Sequence, residues 1–238
     1  MPDTPTPSAA QEPPVVQLLP NTDAPPYHSI CYMWIKRRRG WLWTSSFESS
    51  AVLVGDRHLL TAAHNVRSNT FTSVEESETV CAVDTDREWH LTNPFGPAQI
   101  RVPAGYRWRN FNQDYAVIRL AEASPRKSHF RLPRLDERPI TTGTLVHVAG
   151  FPAADGFQNR KLYYGSGAVS GMGPNTFQYA VDTGGGMSGC PVWVEQRTAA
   201  GSEYVVVGVH VGFSDGWAVA RRVDEPRILR DLETWTHS

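Results

Sequence analysis

Short apolar or alternating runs, each closed by Gly, Pro, Asn or Asp, recur along most of the chain. Ile30–Lys36, Ser50–Val54, His58–Thr61, Thr79–Asp84 and Tyr115–Leu120 make one series. Leu145–Gly150, Tyr163–Ser170, Thr176–Val181, Pro191–Glu195, Tyr204–Phe213 and Gly216–Arg222 make a second. Successive side chains of a strand point to opposite faces, so runs of this length and period predict an all-β sandwich or barrel. The Pro- and charge-rich stretch Ala121–Pro139 reads as a connection between two halves. Near the end, Ile228, Leu229, Leu232 and Trp235 fall at helical spacing, which predicts a C-terminal helix with Asp224 placed to cap it. The first 26 residues hold eight prolines and read as a disordered leader. The expected layout is therefore a leader over 1–26, a first β unit over 27–130, a second over 131–223 and a helix over 224–238, forming one domain.

Bulk properties narrow the classes. A chain of 238 residues with 40% hydrophobic content is long enough to bury a core. A formal net charge of −1 gives no electrostatic basis for nucleic acid as a partner. No apolar stretch approaches the ~18–20 residues of a membrane-spanning helix, so no membrane partner is expected. The basic run Lys36-Arg37-Arg38-Arg39, followed by Gly40, Trp41 and Trp43, reads as a solvated hairpin tip rather than a phosphate-binding patch. Cys31, Cys81 and Cys190 form an odd set, and one bridge, Cys31 to Cys81, is open to them in an oxidising compartment. No positively charged segment followed by an apolar one opens the chain. With the sparse cysteines, this favours a cytoplasmic location. His28, His58, His90, His129, His147 and His237 are scattered without metal-ligand spacing, so neither a metal nor another cofactor is expected. Nothing in the pattern speaks to oligomeric state.

The chemistry concentrates in three segments. Thr183-Gly184-Gly185-Gly186-Met187-Ser188-Gly189-Cys190-Pro191-Val192 sets a serine among four glycines. Such a loop can expose a hydroxyl beside converging backbone N–H groups, as acyl transfer requires; it also suits a plain glycine turn. Leu59-Leu60-Thr61-Ala62-Ala63-His64 runs a strand into a histidine, and Asp114 opens the alternating run Tyr115–Leu120. An imidazole can take and return a proton near neutral pH, and a buried carboxylate orients it. Singly, His64 suits a core histidine and Asp114 a turn residue. Together, the order His64, Asp114, Ser188 is that of the chymotrypsin-type triad. Cys190 stands two positions beyond the serine, off the motif, as an alternative nucleophile.

These residues carry a resemblance. Leu60-Thr61-Ala62-Ala63-His64, Asp114-Tyr115-Ala116-Val117, Asp182-Thr183-Gly184-Gly185 with Ser188-Gly189-Cys190-Pro191-Val192, and Val207-Gly208-Val209-His210 resemble the trypsin-like serine peptidases of the chymotrypsin fold. Within these, the chain is most similar to the staphylococcal-type glutamyl endopeptidases. The likeness runs over about residues 28–223, and Leu18-Leu19-Pro20-Asn21 echoes their mature amino terminus. The resemblance implies two antiparallel β-barrels, with His64 and Asp114 on the first and Ser188 on the second. It implies an oxyanion hole at the N–H groups of Gly186 and Ser188, and protein or peptide substrates. Thr183 and His210 match residues that receive a glutamate side chain, and Phe213 would narrow the pocket. Asp182 matches the position at which trypsin-type enzymes bind Arg or Lys, so cleavage after a basic residue stays open beside cleavage after Glu. So does a catalytically silent peptide-binding pseudoprotease. Met187 replaces the aspartate that pancreatic-type enzymes pair with a freed amino terminus. Some glutamyl relatives place their mature amino terminus in the pocket, which here implies cleavage near Val16 or Gln17. Relatives of this kind are commonly secreted, against the cytoplasmic expectation.

Overall fold

Period-two alternation resolves into two antiparallel sheets. The computed structural model describes residues 13–39, 43–67, 73–83, 88–92, 95–108, 110–125, 130–199 and 201–237. A short β1 (Gln17–Leu18) leads into the N-terminal lobe, built from β2 (Ile30–Arg39), β3 (Trp43–Leu53), β4 (His58–Thr61), β5 (Ser73–Cys81), β6 (Trp89–Thr92), β7 (Ile100–Arg101) and β8 (Ala116–Arg119). The C-terminal lobe holds β9 (Phe130–Arg131), β10 (Leu145–Gly150), β11 (Tyr163–Met172), β12 (Thr176–Tyr179), β13 (Pro191–Thr198), β14 (Gly201–Ser214) and β15 (Trp217–Arg222). Among the described residues two α-helices complete the set: a single turn, α1 (Ala63–Val66), and α2 (Pro226–His237).

The N-terminal sheet runs β6-β5-β2-β3-β4-β8-β7. Its longest ladder pairs β2 with β3 from Ile30↔Val52 to Arg39↔Trp43. On the other side of β2, Cys31 faces Cys81 across β5, and a disulfide joins them. In the second lobe β10-β13-β14-β15-β12 closes on itself because β11 pairs with both β10 and β12. The result is a six-stranded barrel, with β1 on its β11 edge and β9 parallel to β14.

Burial follows the pleat. Residues 163–170 of β11 alternate between buried and more exposed positions, whereas Val205–His210 of β14 are buried without a break. One core cluster fills each lobe, around Met33, Ile35 and Leu59 in the first and around Val148, Phe177 and Val192 in the second. A third spans the interface, packing Val52, Leu60 and Tyr115 with Phe151, Trp193 and Ile228. The helix α2 belongs to this bridge: Ile228 and Leu232 are buried, Trp235 stacks on Tyr115 at 5.7 Å, and the Tyr115 hydroxyl donates to Asp231 at 2.9 Å. The helix thereby braces the residue next to Asp114. Asp224 does not serve as the expected cap; the Arg222 guanidinium donates to both of its carboxylate oxygens, at 2.9 and 3.0 Å.

Two further expectations change. Residues 1–12 of the expected leader lie outside the described residues, but 13–19 run along the second lobe, and the Thr22 hydroxyl then donates to the Val83 carbonyl of the first at 2.5 Å. Gln17 and Leu18 pair with Tyr164 and Tyr163, and Val16 is buried against the barrel. The apolar Val16 outweighs the prolines around it. The basic run is not solvated throughout: Lys36 pairs with Glu76 at 2.7 Å, Arg38 with Glu75, and Arg37 is buried, while the expected tip at Gly40 and Trp41 lies outside the described residues. No helix among the described residues is long and apolar enough to cross a membrane.

Candidate active site

His64 sits in α1, directly after β4. Small residues Ala62 and Ala63, both fully buried, let this turn lie flat on the core. Asp114 closes a 3-10 turn over Phe111–Gln113 and leads into β8, which pairs with β4. That pairing brings the two residues together. One Asp114 oxygen meets His64 Nδ1 at 2.7 Å, and the other accepts the His64 backbone N–H at 2.9 Å. The carboxylate is buried while the imidazole keeps about a fifth of its surface exposed. With Nδ1 held by the carboxylate, Nε2 is the ring nitrogen left to exchange protons.

Ser188 lies on the loop before β13, and hydrogen bonds across the interface tie it to α1. Its carbonyl accepts Asn65 Nδ2 at 2.8 Å and the Ser50 N–H at 2.9 Å. Among the described residues, no hydrogen bond joins Ser188 Oγ to the His64 ring. Such contacts often become short only around substrate. Two glycines shape the loop. Gly186 has φ +93° and Gly189 +91°; a Cβ on Gly186 would stand 2.6 Å from Ala153 N, and one on Gly189 2.2 Å from Ser50 O. Neither conformation nor space admits a side chain. Neighbouring N–H groups are engaged, Met187 to Gly184 O and Gly189 to His210 O, whereas those of Gly186 and Ser188 donate to no acceptor among the described residues. Cys190 is fully buried and burial pushes its thiol up, which removes the alternative nucleophile.

Beside the loop, Thr183 and His210 meet. Thr183 Oγ1 lies 3.1 Å from His210 Nε2, and Nδ1 lies 2.8 Å from the Tyr179 hydroxyl. Burial, reinforced by the nearby His64, pulls His210 from its ordinary 6.5 down to about 3, so the ring is neutral. Phe213 is 43% exposed and stands edge-on to His210 at 6.2 Å. Asp182 is exposed. Its backbone rather than its carboxylate is engaged, with its N–H donating to Pro14 O at 2.9 Å and its carbonyl accepting Val16 N–H at 3.1 Å.

The profile of the trypsin-like peptidase domain matches residues 49–201. The chain belongs to this family. Among curated relatives of this trypsin-like peptidase, a glutamyl endopeptidase of Bacillus licheniformis is 27% identical over 183 residues, covering 75% of this chain and 52% of the relative. The chain thus spans about half the length of that relative. The solved structure of a Glu endopeptidase in complex with MPD superposes with a TM-score of 0.70 at 20% identity, over 96% of this chain and 98% of the other. That likeness establishes the chymotrypsin-like fold.

The peptidase also carries site residues that sequence reasoning missed. Arg37 donates from one guanidinium nitrogen to the carbonyls of His64, at 2.9 Å, and of Asn65, fastening α1 from below. Asn65 joins the lobes, and Tyr179 stands behind His210. Trp108, 43% exposed, stands edge-on to the His64 ring at 6.0 Å. Of these, Arg37 was readable: it shares parity with Cys31, Met33 and Ile35, which face the core. The others are set by pairing distant in sequence, which no local pattern records.

Proposed function

We propose that this peptidase is a serine endopeptidase working through an acyl-enzyme at Ser188, with Glu preferred before the scissile bond. The observation that carries the reading is the double grip of Asp114 on His64, with the Ser188 carbonyl hydrogen-bonded to the next residue, Asn65. Ser188 Oγ attacks the substrate carbonyl as His64 Nε2 removes its proton. The same nitrogen then returns the proton to the leaving amine, while Asp114 stabilises the imidazolium. The N–H groups of Gly186 and Ser188 receive the oxyanion, each such donor being worth about 2.7–4 kcal/mol in the transition state. Thr183, backed by His210, receives the glutamate carboxylate.

Ser188→Ala should leave a folded protein whose peptide turnover is lower by on the order of a millionfold. Fluorophosphonate labelling of the wild type should map to Ser188, and its absence would favour the silent peptide-binding reading. A peptide library should show cleavage after Glu. Cleavage confined to Arg or Lys would instead favour the reading through Asp182, against which the exposure of that side chain weighs. The position of Val16 at the edge of the pocket segment supports a role for a newly freed amino terminus there, and intact mass of active enzyme checks it. The Cys31–Cys81 disulfide supports an oxidising compartment in place of the cytoplasmic expectation.

A further inference from the structure

The Thr183–His210 pair is backed by a group that neither the triad nor the pocket motif calls for. Tyr179 ends β12 and is 0% exposed. Its hydroxyl lies 2.8 Å from His210 Nδ1, and among the described residues it makes no other hydrogen bond. A phenol carries one proton to donate, and a buried donor left unsatisfied costs about 1–3 kcal/mol. If His210 Nδ1 carried a proton and donated it, the Tyr179 proton would have no acceptor. The arrangement that leaves no proton stranded has the Tyr179 O–H donating to Nδ1. Nε2 then carries the ring proton and donates it to Thr183 Oγ1, 3.1 Å away. Thr183, with its oxygen accepting, is left to donate its own proton onward.

We propose that Tyr179 is a positioning residue for specificity: it locks His210 as the neutral Nε2–H tautomer, so that Tyr179, His210 and Thr183 form a one-way relay of donors ending at the pocket. The inference deepens the glutamate reading and rests on it. With Oγ1 accepting from His210, the Thr183 hydroxyl faces the pocket as a donor, and a donor there accepts a carboxylate well. It accepts an amide less well, because the amide NH₂ can turn only to the single Oγ1 lone pair left beside the His210 bond, whereas both carboxylate oxygens accept. The low proton affinity of His210 agrees with this, since a cationic ring would present protons on both nitrogens and take away the acceptor that Tyr179 needs. A phenol so buried and itself raised by desolvation stays protonated, and is a permanent donor.

The test separates the relay from the specificity. Nitrogen-15 NMR of wild-type protein labelled in histidine reads the His210 tautomer without any substrate or variant. An unprotonated Nδ1 and protonated Nε2 are expected, and a protonated Nδ1 overturns the proposal. In parallel, kcat/KM is measured for paired peptides that differ only in Glu or Gln before the scissile bond. In Tyr179→Phe the ring is freed to take either tautomer, and the Glu/Gln ratio should fall on the order of 10-fold, with cleavage of the Gln peptide largely kept. A folded Tyr179→Phe protein with an unchanged ratio overturns the proposal. A wild type with the expected tautomer but no preference for Glu upholds the lock and sinks the glutamate reading instead. If Tyr179→Phe does not fold, the wild-type spectrum still decides the lock.

Discussion

His210 is where the proposed pocket and the stability of the fold meet in a single residue. It is neutral and buried when folded, with its proton affinity lowered from 6.5 to about 3, and it regains the ordinary value when the chain unfolds. Between those limits the unfolded chain binds a proton that the folded chain does not. Stability therefore falls as pH drops through that window, by at most about 1.4 kcal/mol per pH unit from this group. Urea denaturation of the wild type at pH 7 and pH 4 should show a larger loss than in His210→Gln. Equal losses in the two proteins would mean that His210 does not carry the acid sensitivity. Residue type and chain order together marked His64, Asp114 and Ser188 as candidates, because few side chains can serve the proposed roles. They did not mark Tyr179, since a tyrosine in a strand looks the same whether its hydroxyl meets water or an imidazole.

At the scale of elements, α1 is the most dependent piece. A single turn of four residues cannot hold itself, yet it must present His64 at a fixed angle. Asp114 fastens its first half, and Arg37 holds the carbonyls of His64 and Asn65 from the side of β2. The Arg37 guanidinium also lies 3.5 Å from the centre of the Phe47 ring. Burial lowers its proton affinity to about 9, still well above neutral pH, so it remains a cation. Arg37→Leu leaves those carbonyls without a donor and should cost about 1–3 kcal/mol in stability. Turnover should fall as well, because His64 loses its support. Arg37→Lys, with the charge but not the planar fork, should recover only part of either, as chemical denaturation and peptide kinetics would show. Alternation along β2 was enough to place Arg37 inside; a run of four basic residues drew attention to charge instead of parity. The two-residue strands β1, β7 and β9 were missed for a simpler reason: alternation needs more positions than they have.

The whole molecule is two lobes whose agreement makes the site. Asn65, 1% exposed, donates to Thr61 Oγ1 at 3.0 Å within its own lobe and to the Ser188 carbonyl at 2.8 Å in the other. Ser50 does likewise, through its N–H to Ser188 and its hydroxyl to the Gly186 carbonyl at 3.2 Å. Asn65→Leu should lower kcat/KM more than it lowers stability, because the loss of about 1–3 kcal/mol of buried hydrogen bonding falls on the seam that sets the distance between His64 and Ser188. An Asn65→Leu enzyme that is destabilised yet as active as the wild type would show that the seam does not set that distance.

By itself, the sequence determined the all-β class, the locations of most strands and the terminal helix, and it singled out His64, Asp114 and Ser188 as the candidate reacting side chains. Each of these is local: a period of two, a helical spacing, or a motif a few residues long. Only the tertiary structure decided that Asp182 turns outward, that residues 13–19 run along the second lobe, and that Arg37, Asn65 and Tyr179 stand behind His64, Ser188 and His210 respectively. The contacts concerned join residues 123 apart for Asn65 and Ser188, and 31 apart for Tyr179 and His210. Strand register and the packing of one sheet on another bring them together, and neither is encoded within any window short enough to be read as a pattern.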